Sequence, residues 1–315
     1  MNLRTFASAV LLLVPAGSLS AADPQLLGMV MPEAKVVAGV HFEQARATPF
    51  GQFLLGLAQH DNDGLSKFVA ITGFDPRRDL TEVVFASTSD SSHKSGIAIA
   101  RGRFDINRLI AAARADGQNV ETYNGVEMTT GKNGRESIAF LDSTLALAGG
   151  TSDVRAAIDR RNRPTAFHAA IAVKIAQLGA SQDAWVLSLG PVTGFNPGLR
   201  DKNLSGAFNG DLAKSIEQAS AGVKFGAMVQ VTAEAIARTE KDATALADVA
   251  RFLASMAQLN MPEKDAAKFG LVLQSLDVQA QANTVKLSLT IPEDQLEKVI
   301  GSRHGARVAS RRRVR

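Results

Sequence analysis

The spacing of apolar positions changes along the chain, and each change marks an element. Val36 to Val40 is a short apolar run after Pro32 and predicts a buried strand. Thr48-Pro49 then supplies a helix N-cap and a first-turn proline, and Phe50, Phe53, Leu54 and Leu57 recur at helical spacing. Leu65 to Ile71 predicts a second short helix, closed by the turn Gly73-Phe74-Asp75-Pro76. Val83 to Phe85 and Ile97 to Ala100 read as strands on either side of the polar stretch Ser87 to Ser95. Asp105 caps a helix through Leu109, Ile110 and Ala113 that stops at Gly117.

The clearest local signal follows. Asn124-Gly125 separates Val120–Tyr123 from Val126–Thr130, and Asn133-Gly134 precedes Ile138–Leu141. Asn-Gly suits the positive φ that two-residue hairpin turns require, so these runs predict an antiparallel meander. Asp142-Ser143 closes a third hairpin onto Leu145–Ala148, and a helix from Ser152 to Arg161 ends this half.

In the second half, Trp185 to Leu189 reads as a strand and Asp211 starts a short helix. Val223, Phe225, Ala227, Val229 and Val231 alternate with Lys224, Gly226, Met228, Gln230 and Thr232, which predicts one strand with a dry face and a wet one. Leu276, Val278 and Ala280, then Val285, Leu287, Leu289 and Ile291, alternate in the same way about a hairpin at Ala282-Asn283. Between them the pattern predicts a helix from Ala235 to Leu259, with Leu246, Val249, Leu253 and Met256 on one stripe, and Pro292 opens a last helix that ends before Gly301. That stripe suits core packing better than a partner helix. Helices interspersed with half-wet antiparallel strands predict an α+β fold of two similar halves, each an antiparallel sheet with helices packed on one face.

The ends carry different information. Met1 to Ala22 has one basic residue, Arg4, an apolar stretch from Phe6 to Val14, breaks at Pro15 and Gly17, and the small residues Ser20-Ala21-Ala22. Those are the regions of a secretory signal peptide cleaved before Asp23, and the apolar run is too short for a membrane span. The expected location is therefore periplasmic or secreted, with no transmembrane segment in the mature chain. The division that follows is a signal peptide 1–22, a first α+β domain 23–163, a second 164–302 and a disordered Arg-rich tail 303–315, with the boundary at the linker-like Arg160-Arg161-Asn162-Arg163-Pro164.

Charge sharpens this division. The 315 residues carry 35 basic and 31 acidic side chains, a net charge of +4. Setting aside Arg4 and the tail's Arg303, Arg307, Arg311, Arg312, Arg313 and Arg315 leaves 28 basic residues against the 31 acidic ones, so the body carries −3. A block of like charge predicts a solvated tail able to meet anionic envelope components or acidic proteins by multiple charge contacts. It carries no signature of specific nucleic-acid binding.

Sequence motifs for chemistry are sparse. The absence of cysteine excludes disulfides, thiol nucleophiles, thiolate zinc sites and a lipid-modified Cys after the leader. His41, His60, His93, His168 and His304 include no pair at i and i+4, which excludes a zinc helix. His60-Asp61-Asn62-Asp63-Gly64 has oxygen ligands but neither the alternate spacing nor the distal Glu of a calcium loop, so a solvated turn accounts for it better. Ser91-Ser92-His93-Lys94 matches Ser-x-x-Lys, yet falls in a polar loop rather than at a helix start, and its companion motifs are absent. Gly125 to Gly131 followed by Lys132 has five residues between its glycines rather than the four of a phosphate loop, and Asn133 replaces the hydroxyl. No cofactor, metal or catalytic residue is expected. With one Trp, Trp185, and one Tyr, Tyr123, stacking of sugars or bases is not expected either.

Gly73-Phe74-Asp75-Pro76-Arg77-Arg78-Asp79 is echoed by Gly194-Phe195-Asn196-Pro197-Gly198-Leu199-Arg200-Asp201, as a duplication would leave or as a turn motif reused. Together with the signal peptide and the strand-opening Pro32 to Val40, the Gly73–Leu80 turn resembles those of exported bacterial proteins of uncharacterised families with repeated α+β domains. That resemblance implies no activity. The functional expectation is an exported, non-catalytic envelope protein, a scaffold or binding module. The alternative is a cofactor-free enzyme or small-ligand carrier whose site assembles from distant residues. An exposed sheet face without a pocket favours the first, and a buried carboxylate cluster joined by Ser91 or His93 favours the second.

Overall fold

Strand β1 (Val36–His41) emerges where the apolar run predicts it, with Val37, Gly39 and His41 buried on one side. The structure is a computed structural model whose described residues are 24–60, 63–88, 95–163, 169–190, 211–259, 270 and 273–297. The strands that follow are β2 (Leu80–Ser87), β3 (Gly96–Gly102), β4 (Asn119–Tyr123), β5 (Val126–Thr130), β6 (Glu136–Asp142), β7 (Leu145–Gly150), β8 (Ala184–Leu189), β9 (Ile216–Lys224), β10 (Met228–Ala237), β11 (Asp277–Gln281) and β12 (Thr284–Pro292). The helices are α1 (Pro24–Leu27), α2 (Phe42–Ala47), α3 (Pro49–His60), α4 (Asp63–Thr72), α5 (Pro76–Asp79), α6 (Ile106–Ala115), α7 (Thr151–Asn162), α8 (Ala169–Ser181), α9 (Asp211–Lys214) and α10 (Glu240–Leu259).

The fold is α+β, and its twelve strands form one antiparallel sheet in the order β11-β12-β10-β9-β8-β1-β2-β3-β7-β6-β5-β4. The halves meet because β1 pairs with β2 on one edge and with β8 on the other, Ala38 standing opposite both Phe85 and Val186. β1 therefore lies in the middle of the sheet with both edges paired, which is where an uninterrupted apolar run belongs.

Local chemistry set many element ends. Thr48 Oγ1 accepts the Gly51 N–H at 3.2 Å to start α3, and Asp105 Oδ1 accepts the Arg108 N–H at 3.1 Å to start α6. Asn124 and Gly125 both have positive φ, 48° and 80°, as the two-residue turn between β4 and β5 demands. The second Asn-Gly closes differently. Residues 131–135 form a wider loop in which the Gly131 N–H reaches the Glu136 carbonyl at 2.9 Å, and only Gly134 takes positive φ.

Two expectations in the second half are corrected. The alternating run Val223–Val231 is two strands, β9 and β10, joined by a hairpin at Phe225–Ala227, so its period of two continues through a reversal. The long helix begins at Glu240 rather than Ala235, because Ala237 is fully buried as the last residue of β10. Thr239 marks the true start, its Oγ1 accepting the Asp242 N–H at 3.1 Å and donating to Asp242 Oδ2 at 2.7 Å. Helix α8 has no counterpart among the predicted elements, although its Ile175 and Leu178 at helical spacing enter the main core.

Helices flank the sheet unequally. On one face, α1, α7 and α8 pack over β1–β3 and β5–β8, with Val37, Val84, Ile97, Ile99, Leu147 and Leu187 beneath them in a continuous core. On the other face, α6 covers one end through Leu109, Ile110, Phe140 and Ala146, and α10 covers the opposite end through Ala243, Ala247 and Val285. Among the described residues no helix is long and apolar enough to cross a membrane.

Candidate interaction surface on the open face of the sheet

The registers define a row of side chains crossing all twelve strands on the less covered face. In spatial order it reads Val120, Thr129, Ile138, Ala148, Ala98, Phe85, Ala38, Val186, Ala221, Ala233, Leu287, Val278. Eleven of the twelve are apolar. Val120 is partly covered beside α6, and Leu287 and Val278 beside α10. Between those ends Phe85 is 45% exposed, Ile138 43% and Val186 38%. Large apolar side chains aligned in register on an uncovered sheet are unlike scattered surface residues, because their exposed areas join.

Two adjoining cavities shape one side of this floor. A cavity of about 640 Å³ is lined by Phe85, Ile138, Ala148, Gln118 and Thr129 with Arg135 and Glu136 at its edge. A second of about 330 Å³ shares Gln118, Thr129 and Ile138 and adds Phe68 and Ile71 of α4 and Ala112 and Ala113 of α6. Phe68 and Ile71 are themselves exposed, so three exposed apolar residues, Phe68, Ile71 and Ile138, line one hollow. The edges carry Lys67, Arg135, Glu136 and Asp116, the last 3.8 Å from Lys132 Nζ.

The wet faces expected of β10–β12 are on the opposite side, where Glu234, Thr232, Lys286, Ser288, Gln279 and Asp277 line a polar cleft of about 390 Å³ beside α8. Lys174 of α8 pairs there with Glu234 at 2.7 Å. Alternation located these polar residues correctly, but it did not reveal that the dry face would be left half uncovered.

A buried polar group also exists, built on His41 rather than His93. His41 Nδ1 is 4.0 Å from Glu82 Oε1, and Asp183 accepts from Lys224 Nζ at 3.0 Å and from the Phe225 N–H at 2.6 Å. Burial holds the His41 pKa below its ordinary value, against the opposing effects of the Gly179 backbone and Asp183. His41 Nε2 has no hydrogen-bond partner. His41 lines none of the three cavities above.

The remaining sequence candidates divide by location. Ser91, Ser92, His93 and Lys94, His168, the turn echo Gly194–Asp201, and the tail arginines Arg303, Arg307, Arg311, Arg312, Arg313 and Arg315 with His304 lie outside the described residues. So do Asp61 and Asn62 of the oxygen-rich loop, whose Asp63 begins α4. Among the described residues no three His, Asp or Glu side chains converge as a metal site. Gly125 to Lys132 is β5 with its flanking turns. In the Leu246–Met256 stripe, Leu246 packs on the α10 cluster beside Leu287. Tyr123 is committed locally, donating to Asp159 at 3.1 Å beneath the Arg155 guanidinium.

No protein-family model matches the chain, and no curated protein does. Its fold resembles that of the Treponema protein TP0453. Crystal form III of TP0453 aligns with a TM-score of 0.52 at 13% identity over 90% of this chain and 99% of that one. Crystal form IV gives 0.55 at 12% identity over the same shares. At this identity the likeness establishes the fold.

Proposed function

We propose that this protein is an exported, non-catalytic binding module of the bacterial envelope, and that the open sheet face docks an amphipathic helix of a partner protein. The observation that carries the reading is the apolar row left exposed at Ile138, Phe85 and Val186 in the middle of a sheet whose reverse side is packed. The exposed width from β6, which carries Ile138, to β8, which carries Val186, spans five inter-strand steps, about 24 Å at about 4.8 Å each, and its depth is about 17 Å. That floor is near half the area of about 800 Å² per partner in a standard interface, too small for a second folded copy. It does suit one helix about 10 Å across laying down an apolar stripe; with Asp116 paired to Lys132, the edge cations Lys67 and Arg135 outnumber the acid Glu136 and meet acids on that helix. Residues 1–22 fit export, and the six tail arginines fit attachment to an anionic component.

The test uses 18-residue helical peptides sharing one apolar stripe and differing in flanking charge, with binding to the mature chain followed by fluorescence anisotropy. The acidic-flanked peptide is expected to bind, and Val186→Asp and Ile138→Asp to abolish binding while each variant keeps a cooperative unfolding transition and loses no more than about 1 kcal/mol of stability. Equal binding to wild type and both variants would overturn the reading.

A further inference from the structure

We propose that the cavity bounded by Arg78, Arg103 and Arg108 is a binding site for a small aromatic monocarboxylate, separate from the open sheet face. The cavity measures about 440 Å³ and lies where the Gly73–Asp79 turn, the start of α6 and the β6–β7 turn converge, with Phe74, Phe104, Ser143 and Thr144 completing its lining. This volume is within the range of small-molecule sites.

The turn motif is first a structural device. Asp75 caps α5 and is held by Arg77, whose Nε and Nη2 donate to its two oxygens at 2.8 and 2.6 Å. Asp79 is buried, and its Oδ2 accepts the Asp75 N–H and Arg78 Nη2, both at 2.8 Å, while Oδ1 accepts Arg78 Nε at 2.9 Å. One guanidinium and one backbone N–H therefore satisfy the carboxylate.

Two more guanidiniums line the same space without that justification. Arg103 reaches Asp79 Oδ1 only at 3.5 Å, the limit of a hydrogen bond, and its side chain is 74% exposed. Arg108 donates to the neutral carbonyls of Ile71 and Ala70 at 3.2 and 3.4 Å, so its charge meets no carboxylate there. The other acid of the lining, Asp105, spends Oδ1 on the Arg108 N–H as the cap of α6. Three cations and two carboxylates leave one net positive charge, which matches a single negative charge on a ligand.

The forked N–H groups of Arg103 fit a carboxylate by two parallel hydrogen bonds. Thr144 Oγ1 is committed to Asp142 at 2.7 Å, whereas the exposed Ser143 stands at the mouth. Phe74 and Phe104, stacked on each other with centroids 5.3 Å apart and planes at 26°, give the cavity an apolar side against which the ring of a ligand can pack, although Phe104 itself is only 8% exposed. A cationic fork and an apolar side in one cavity favour a carboxylate attached to a ring over inorganic phosphate, which has no apolar part.

The mature full chain is titrated calorimetrically with phenylacetate, benzyl alcohol and inorganic phosphate. Phenylacetate is expected to bind at one site, with the two other probes at least tenfold weaker. Arg103→Gln is expected to weaken phenylacetate at least tenfold with no change in the urea midpoint. Ser143→Asp, which leaves every ion pair intact and adds a negative charge at the mouth, is expected to abolish binding. No saturable binding of phenylacetate, equal affinity for benzyl alcohol, or unchanged affinity in Ser143→Asp overturns the proposal.

Discussion

Trp185 fills the space that a side chain on Gly39 would need: a Cβ at that position would fall on the indole ring. The two residues are register partners in the β1–β8 pair that joins the halves of the sheet, and Trp185 is buried in the main core. Glycine is thus required at Gly39 for space rather than for backbone freedom.

Gly39→Ala is expected to destabilise the protein by about 2 kcal/mol, because overpacking a filled core forces side chains off their rotamers. Urea unfolding followed by fluorescence measures this, and the lone tryptophan reports on the seam itself. An unchanged midpoint would show that the indole can move aside at no cost.

The two faces of the sheet should respond oppositely to charge. Ile99 is fully buried, and Ile99→Asp is expected to prevent folding. Val186 is exposed, and Val186→Asp is expected to cost no more than about 1 kcal/mol, the range of strand propensity. Circular dichroism and denaturant midpoints of the two variants check the difference.

Asp79→Asn removes the charge that Arg78 and the Asp75 N–H are arranged around, and is expected to cost about 2 kcal/mol as charge-assisted hydrogen bonds weaken. The hydrogen bond from Arg78 holds the Asp79 carboxyl below its ordinary pKa. Its stabilisation is therefore present above the unfolded carboxylate value and is lost as pH falls through the lowered folded one. The wild type should lose stability more steeply below pH ~4 than Asp79→Asn does.

His41 predicts a separate, milder dependence. Its folded pKa is depressed by burial, so the unfolded chain binds the proton more readily. Stability should begin to fall as pH drops below ~6.5 and keep falling until the folded pKa is reached. The Gly179 backbone and Asp183 temper the penalty and Lys224 adds to it. Urea midpoints between pH 8 and pH 5 should slope in the wild type and flatten in His41→Gln.

The Arg-rich end is expected to bind heparin with a steep salt dependence. A chain ending at Gly301 should lose that retention while keeping its unfolding midpoint. Equal elution from a heparin column would assign any retention to the body of the protein.

The sequence by itself determined what depends on neighbours within a few residues. Thr48 and Asp105 capped their helices because a side-chain oxygen reaches an N–H three residues on, and Asn124-Gly125 turned the chain because both residues accept positive φ. Alternation located the strands and their wet faces, yet the reversal at Phe225–Ala227 was hidden because a hairpin loop of odd length continued the period of two. Only the tertiary structure decided which strands became neighbours. The pairing of β1 with β8 unites residues nearly 150 positions apart, and no local pattern records such a choice. The candidate surface follows from that pairing: Ile138, Phe85 and Val186 read separately as ordinary strand residues and become one exposed row only when their strands are in register. Whether an apolar face is core or binding surface depends on how far the flanking helices reach across it. Here α6 and α10 each cover an end and leave the middle open.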